Sequence, residues 1–259
     1  MPKKKLTILC AGGKVIEEPD SLRKLICDFV AITGRKILVH GGGDMTQRVA
    51  TKMGVKVQNT RDGRPIVGEQ LLHVMAMVHG GLIDTRLVTL LQWHGVKALG
   101  LTGADMNLLL AAKRAADGVD CGEVGEICKV NTPALQMLLE ADATPVVAPL
   151  AHDGYGHLLS VDPDDVAAEL GRALATSHDI TLIYCTDRNG VLMNEHDPDS
   201  VIAALKRTQY RNLKEMGIIK GGMLPKIDSA FSSIDHGVKH VIITSVARLH
   251  NREQGTHIK

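Results

Sequence analysis

Short apolar runs alternate with helix-like patterns along most of the chain. The runs that predict strands are Leu6–Cys10, Lys36–Val39, Val96–Leu101, Ala143–Ala148, Ile180–Cys185 and Val238–Thr244. Between them, apolar residues recur every three or four positions, which predicts helices; these cover Ser21–Ala31, Met45–Met53, Gly68–Trp93 and Val161–Thr176. We also expect a small hairpin between Gln58 and Val67. Such alternation is typical of an α/β fold, so we predict a three-layer αβα sandwich with a mainly parallel central sheet.

The composition fits this prediction, and the chain length limits the number of domains. The chain has 259 residues, of which 44% are hydrophobic and 23% charged. That is enough for one large domain or two lobes with a sizeable core. Only 2% of the residues are aromatic, so aliphatic side chains and methionine must fill the core. A weakly marked boundary near Ser177 divides the chain into predicted lobes 1–176 and 177–259.

Charge, cysteine use and hydropathy indicate a cytoplasmic protein. The formal net charge is +1, which gives no reason to expect a nucleic acid or a membrane surface as partner. The N-terminus has no signal-peptide pattern, and no uninterrupted apolar run reaches the roughly 18 residues of a membrane span. The five cysteines are odd in number and lack a C-x-x-C pattern, so we predict reduced thiols.

Glycine turns follow the first two predicted strands. Gly12-Gly13 ends the first, and His40-Gly41-Gly42-Gly43 ends the second. Glycine lets backbone N–H groups approach an anion closely. Ligands of parallel sheets bind beyond the carboxyl ends of the strands, where these turns lie. We therefore predict a cradle for a transferring phosphoryl group, with His40 as a candidate for a local role.

Several other chemistries have no support in the sequence. The chain lacks G-x-x-x-x-G-K-[ST], so a P-loop is excluded, and Gly41-Gly42-Gly43 does not complete the dinucleotide pattern G-x-G-x-x-G. It also lacks the G-x-S-x-G nucleophile elbow. None of its 12 histidines forms an H-E-x-x-H pattern, and we predict no metal site built by the protein itself.

Taken in order, the motifs resemble the amino-acid kinase family, and most closely its acetylglutamate kinases. The matching motifs are Gly12-Gly13, His40-Gly41-Gly42-Gly43, Gly63-Arg64, Gly100-Leu101-Thr102-Gly103-Ala104-Asp105, Ser160-Val161-Asp162-Pro163-Asp164, Asp187-Arg188-Asn189-Gly190 and Gly221-Gly222-Met223-Leu224-Pro225-Lys226. The resemblance covers nearly the whole chain. It implies the amino-acid kinase fold and transfer of a phosphoryl group from ATP, with Mg²⁺, to the γ-carboxylate of an N-acylated glutamate in arginine biosynthesis.

The resemblance also implies roles for individual residues. Lys226 would neutralise charge on the phosphates, and Asp164 would orient catalytic lysines. The residues that would bind the acylated glutamate are Gly42, Gly43, Arg64 and Ser160. The residues that would bind the phosphates or shape the ATP pocket are Gly12, Gly13, Thr186, Asp187, Gly190 and Gly222.

The same resemblance assigns the ligands and the partner. The N-terminal lobe would bind the acylated glutamate and form a homodimer, and the C-terminal lobe would bind ATP. The apolar helix over Leu71–Leu91 is a candidate dimer face. An ordinary buried helix would have the same pattern.

Three positions depart from the family pattern. Cys10 stands where the family carries a lysine, and a thiol that is mostly uncharged at neutral pH cannot replace an ammonium against phosphate charge. Ser160 and Asp162 stand where asparagines are expected. An extra carboxylate at Asp162 would be unfavourable beside an anionic substrate unless it is paired.

These departures leave alternatives open. N-succinyl-L-glutamate could be the acceptor, with Arg48 and Arg61 as candidate partners for its additional carboxylate. The chain could also be a catalytically weakened binding protein, which Cys10 favours. Other members of the family remain alternatives: glutamate 5-kinases, aspartokinases, carbamate kinases and relatives of nucleoside monophosphate kinases. Chain length and the position of Gly63-Arg64 disfavour most of them.

Overall fold

The computed structural model describes residues 3–59, 65–114 and 120–259. In chain order the strands of these residues are β1 (Lys4–Ala11), β2 (Arg35–His40), β3 (Gln58–Asn59), β4 (Pro65–Ile66), β5 (Ala98–Leu101), β6 (Leu109–Lys113), β7 (Gly125–Val130), β8 (Thr144–Val147), β9 (Leu150–His152), β10 (Leu158–Ser160), β11 (His178–Thr186), β12 (Ala204–Leu205), β13 (His240–Ser245) and β14 (Thr256–Ile258).

The α-helices are α1 (Gly13–Glu17), α2 (Pro19–Val30), α3 (Gly43–Lys52), α4 (Glu69–Met75), α5 (Asp84–Trp93), α6 (Thr132–Glu140), α7 (Pro163–Leu174), α8 (Arg207–Glu215) and α9 (Met223–Asp235). A π-helical segment, Ala76–Ile83, joins α4 to α5. Short 3₁₀ turns occur at Asp105–Asn107, Val246–Arg248 and Arg252–Gln254.

The chain forms two compact units, Met1–Ile37 with Ala167–Lys259, and Leu38–Val166. We call them the outer-sequence unit and the middle unit. In the outer-sequence unit the strand order is β12-β14-β13-β11-β1. β1 pairs in parallel with β11 and β11 with β13, whereas β14 runs antiparallel to β13. The buried core of this unit includes Ile8, Phe29, Ile183 and Tyr184.

The middle unit contains parallel strands and a second sheet. β8 lies between β2 and β5, and both pairs are parallel. The second sheet has the order β10-β9-β6-β7 and is mostly antiparallel. β3 and β4 form the hairpin predicted between Gln58 and Val67. The predicted α/β class with a mainly parallel central sheet is confirmed, but the second sheet was not anticipated.

The two compact units divide the chain differently from the predicted lobes 1–176 and 177–259. β1 pairs along its whole length with β11, from Lys4 opposite His178 to Ala11 opposite Cys185. This pairing joins the first 37 residues to the last third of the chain. A pairing between residues so distant in sequence leaves no local signal, so hydrophobic patterning could not locate the boundary.

The predicted helix Gly68–Trp93 is present as α4, the π-helical segment and α5. Glu69–Trp93 is also long and apolar enough, by length and composition alone, to cross a membrane. Its side chains are divided between the core and the surface. Those buried include Val74, Val78 and Leu87, whereas Met77 and Leu82 are about half exposed.

Met106 adopts a left-handed backbone conformation in the loop after β5, with φ 54° and ψ 23°. This conformation costs an L-residue about 1–2 kcal/mol, whereas glycine adopts it freely but gives up about 0.5–1 kcal/mol of chain entropy. The Met106 side chain is 45% exposed, so its removal loses little packing. We expect Met106→Gly to raise the melting temperature by about 1–4 °C. Met106→Ala keeps the Cβ atom and should give no rise; equal melting temperatures for the two variants would contradict the strain assignment.

Candidate functional site

The first glycine turn follows β1 in the outer-sequence unit. The N–H of Gly12 donates a hydrogen bond of 3.0 Å to the carbonyl oxygen of Cys185, the residue opposite Ala11 in the sheet. This N–H extends the sheet and is therefore not open to a phosphoryl group, contrary to what the glycine pair alone suggested. Gly13 begins α1, and its N–H has no acceptor within residues 3–59, 65–114 and 120–259. Gly13 is thus the residue of this turn that can bind an anion.

An ion pair lies beside this turn. Lys14 Nζ is 3.1 Å from Asp187 Oδ2, and both side chains are more than half exposed. Asp187 directly follows β11, where the Thr186 hydroxyl donates to the carbonyl of Arg188 and accepts from its N–H. The local turn therefore orients Asp187 towards Lys14, although an exposed pair of this kind adds little stability.

Cys10 and Lys226 flank the same aromatic side chain. Cys10 is opposite Tyr184 in the sheet and is 2% exposed. Lys226 lies in the first turn of α9, directly after Gly222 and Met223-Leu224-Pro225, and is half-buried. Its Nζ atom is 4.9 Å from the centre of the Tyr184 ring, within the range of a cation–π contact. Lys226 and the position of the expected lysine, Cys10, are thus both neighbours of Tyr184.

The remaining glycines of this unit have different environments. A Cβ atom on Gly190 would lie 2.7 Å from Thr256 Oγ1 and 2.9 Å from Val201 Cγ1. Glycine is therefore needed here for close packing, which also allows the Val191 N–H to donate to Thr256 Oγ1 at 2.8 Å. Gly222 is exposed, with no atom near its missing Cβ, and it precedes α9. Gly222 thus leaves the approach to the first turn of α9 open.

Cys185 does not offer thiolate chemistry. Its side chain is buried, and burial raises its pKa to about 12, although the nearby Lys226 charge partly opposes this shift. The thiol is therefore neutral at physiological pH.

The second glycine turn connects β2 to α3 in the middle unit. A Cβ atom on Gly42 would collide with the Ile83 side chain and lie 3.5 Å from the His79 ring. Gly42 caps α3 without a side chain, and Gly43 is the first residue of the helix. Within the part of the chain that the structure describes, the N–H groups of Gly42 and Gly43 have no acceptor. A turn of this kind suits a carboxylate or a phosphoryl oxygen.

Four polar side chains lie buried next to this turn, and we call them the turn-supporting cluster: His40, Thr46, His79 and Asp84. Each is at most 5% exposed. Thr46 Oγ1 is 3.0 Å from the carbonyl oxygen of Gly42 and 2.9 Å from His79 Nε2. His40 Nδ1 is 3.1 Å from the carbonyl oxygen of Gly41, and its Nε2 is 3.6 Å from Asp84 Oδ1.

Burial shifts the pKa values of two members of this cluster. It lowers the pKa of His79 to about 3, with help from the neighbouring His40. It raises the pKa of the Asp84 carboxyl, against the opposing effect of His40. Sequence reasoning singled out only His40. The available signal for His79 and Asp84 was the presence of a histidine and an aspartate in the otherwise apolar stretch from Met75 to Asp84.

Ser160 lies in the second sheet of the middle unit. It ends β10 opposite Leu150, which follows β8, the neighbour of β2. The residue is 5% exposed, and its hydroxyl has no hydrogen-bond partner among the described residues. It therefore retains a donor and an acceptor that a ligand could use.

Asp162 and Asp164 lie at the start of α7. The carboxylate of Asp162 accepts a hydrogen bond of 2.8 Å from the Asp164 N–H. Asp162 is therefore paired with the helix N-terminus, which removes the expected penalty of an extra carboxylate at this position. Asp164 is half-buried in the first turn of this helix, which lies within the predicted helix Val161–Thr176. Arg64, the predicted carboxylate ligand, lies outside the described residues.

Comparisons with known proteins identify the family of this chain. Residues 5–245 match the model of the amino acid kinase family. The chain is 45% identical over 257 residues to an acetylglutamate kinase of Phocaeicola vulgatus, covering 99% of each chain, and 44% identical over 254 residues to one of Parabacteroides distasonis, covering 98% of this chain and 99% of the relative.

Solved structures share the fold. The N-acetylglutamate synthase of Neisseria gonorrhoeae, complexed with coenzyme A and N-acetyl-glutamate, matches with a TM-score of 0.83 at 23% identity. The match covers 98% of this chain but only 59% of the synthase chain. Together, the full-length relatives, the family match and the shared fold show that this chain belongs to the amino acid kinase family.

Proposed function

We propose that this chain transfers the γ-phosphoryl group of ATP to the γ-carboxylate of N-acetyl-L-glutamate and forms N-acetylglutamyl 5-phosphate for arginine biosynthesis. The observation that carries the proposal is the pair of glycine turns at strand ends, each followed by a helix and each keeping a backbone N–H without an acceptor among the described residues. Relatives of more than 40% identity over the full chain bear the name acetylglutamate kinase.

Each unit receives one ligand in this proposal. The middle unit binds the acylated glutamate through Gly42, Gly43 and Ser160, with Arg64 gripping its α-carboxylate. A guanidinium suits that task because its planar fork binds a carboxylate through two hydrogen bonds. The outer-sequence unit binds ATP, which brings Mg²⁺; the residues assigned to it are Gly13, Thr186, Asp187, Gly190 and Gly222, with Gly12 shaping the turn.

Phosphoryl transfer depends mainly on positioning and charge neutralisation. The substrate γ-carboxylate attacks the γ-phosphorus while the bond to ADP breaks. Lys226 neutralises charge on the phosphoryl oxygens as the transition state forms, and Asp164 orients the cationic groups. The N–H groups of Gly13 and Gly43 donate to oxygens that gain charge.

The protein is proposed to act in the cytoplasm as a homodimer. Exposed apolar side chains on the long helix support a dimer face there; they are Met77 (50% exposed), Leu82 (52%) and Trp93 (80%). Sedimentation velocity at micromolar concentration should give twice the mass of one chain. A single species of monomer mass would contradict the dimer.

The function is tested by trapping the acyl phosphate with hydroxylamine, using ATP, Mg²⁺ and N-acetyl-L-glutamate, with N-succinyl-L-glutamate in parallel. Turnover with the acetyl substrate is the expected result. Turnover with the succinyl substrate alone would identify N-succinyl-L-glutamate as the acceptor. This alternative is open because Ser160 stands where the family carries an asparagine. No turnover with either, from folded protein that binds ATP, would support a weakened binding protein, as Cys10 suggests.

A further inference from the structure

We propose that the turn-supporting cluster positions the second glycine turn for binding, so that His40, Thr46, His79 and Asp84 are positioning residues for the substrate. The proposal rests on the proposed function of Gly42 and Gly43. Its basis is that both carbonyl groups of the turn have buried side-chain partners: His40 for Gly41, and Thr46 for Gly42. The Thr46 backbone N–H also donates to the Gly42 carbonyl at 3.0 Å.

Peptide geometry connects these carbonyls to the N–H groups that would bind substrate. The Gly41 carbonyl shares a planar unit with the Gly42 N–H, and the Gly42 carbonyl shares one with the Gly43 N–H. In a trans peptide the C=O and N–H bonds point in opposite directions. Because the carbonyls point to the buried cluster, the two N–H groups point away from it. This explains why neither has an acceptor among the described residues.

Hydrogen-bond accounting assigns the protons on one side of the cluster. A hydroxyl has one proton, and the Thr46 hydroxyl uses it to donate to the Gly42 carbonyl. His79 must then donate from Nε2 to Thr46 Oγ1. In the neutral ring the other nitrogen, Nδ1, carries no proton and is an acceptor. That atom is buried and has no partner within the described residues, an arrangement that costs less for an acceptor than for an N–H. A neutral His79 agrees with its pKa of about 3.

The second side of the cluster is the pair formed by His40 and Asp84. His40 donates from Nδ1, since its partner is a carbonyl oxygen. Its Nε2 faces Asp84 Oδ1 at 3.6 Å, and neither atom has a hydrogen-bond partner among the described residues. Burial raises the pKa of the Asp84 carboxyl, which favours its uncharged form beside the histidine ring. The other groups that face this pair are His79 and Asp105.

The sharpest test removes one hydroxyl. Thr46→Val keeps the shape of the side chain but loses both of its hydrogen bonds, so the turn should lose its orientation. We expect kcat/KM for N-acetyl-L-glutamate to fall about 10- to 100-fold, with the KM for ATP within about twofold of wild type. Thr46→Ser restores the hydroxyl and should recover most of the loss.

Thr51→Val is the matched control. Thr51 lies on the same helix, and its hydroxyl donates to the carbonyl of Gln47 four residues earlier, but it is exposed and away from the turn. It should leave the kinetics unchanged. A folded Thr46→Val enzyme with wild-type kcat/KM, or a Thr46→Ser enzyme as impaired as Thr46→Val, would overturn the proposal.

A spectroscopic readout tests the positioning role independently of which substrate the protein phosphorylates. In protein labelled with ¹⁵N, Thr46→Val should shift the amide resonances of Gly42 and Gly43, and Thr51→Val should not. The His79 ring should remain in the neutral Nε2–H tautomer at pH 5. Unmoved glycine resonances, or a His79 that titrates near pH 6.5, would refute the positioning role whether or not N-acetyl-L-glutamate is phosphorylated.

Discussion

Lys226→Ala should reduce kcat by about 10²- to 10³-fold, the usual cost of removing one preorganised group that stabilises transition-state charge. Lys226 lies in the first turn of α9, which begins after the exposed Gly222, and its ammonium lies above the buried Tyr184 ring. Such a group is held in place before the reaction begins and gains its stabilising effect as charge develops on the phosphoryl oxygens. Steady-state kinetics with saturating ATP and N-acetyl-L-glutamate measures the effect.

A matched control distinguishes a local effect from a general loss of positive charge. Lys239 directly precedes β13 and therefore lies at the amino-terminal end of a strand, whereas the glycine turns follow carboxyl ends. Its Nζ atom is 2.9 Å from Asp179 Oδ2. Lys239→Ala should keep kcat within about twofold, because exposed pairs contribute little. Full turnover by a Lys226→Ala variant with an unchanged melting temperature would show that the phosphate assignment is incorrect.

Cys10→Lys should raise kcat by about tenfold or more, since it would place a cation where the family carries one. Cys10 is 2% exposed at the carboxyl end of β1, but a lysine stem can lie along apolar neighbours while its ammonium reaches the strand end. Cys10 is opposite Tyr184 in the sheet and Lys226 contacts the Tyr184 ring, so we expect the new cation and Lys226 to act on the same region.

Cys10→Met provides the comparison, because methionine is long and flexible but uncharged. It should give no rise in kcat. If folded Cys10→Lys also gives none, another cation already supplies the charge. Lys14 is the candidate, since it directly follows Gly13 and its ammonium is 3.1 Å from Asp187 Oδ2. In that case Lys14→Ala should lower kcat, and kinetics of the two single variants and the double variant would measure their coupling.

The strands and most helices were predictable because their signals are local. β1, β2, β5, β8, β11 and β13 each appear as a short apolar run, and the 3.6-residue period marked α2, α3 and α7. The same pattern predicted that the glycine turns lie at the carboxyl ends of β1 and β2. The second sheet was missed because its strands, such as Leu150–His152 and Leu158–Ser160, are too short for alternation to identify.

The details of the candidate site depended on contacts between distant residues. No sequence pattern shows that the Gly12 N–H donates to Cys185 or that Gly190 packs against Thr256, because each contact joins residues far apart in the chain. The hydrogen bond by which Asp162 caps α7 is local, but the sequence prediction began that helix at Val161 and did not identify the cap. The two distant contacts changed the interpretation of Gly12 and of Gly190, while the Asp162 contact removed an expected conflict with an anionic substrate.

By itself the sequence determined the α/β class, the family and the set of candidate residues, because hydrophobic periodicity and ordered glycine motifs are properties of neighbouring positions. Only the tertiary structure decided which N–H groups remain open, where the two compact units divide and that His79 and Asp84 lie beneath the second glycine turn. The physical reason is burial. The sequence does not show whether a polar side chain of a helix is buried. Only when packing removes the side chain from water does it need a hydrogen-bond partner in the protein, and that partner decides its role.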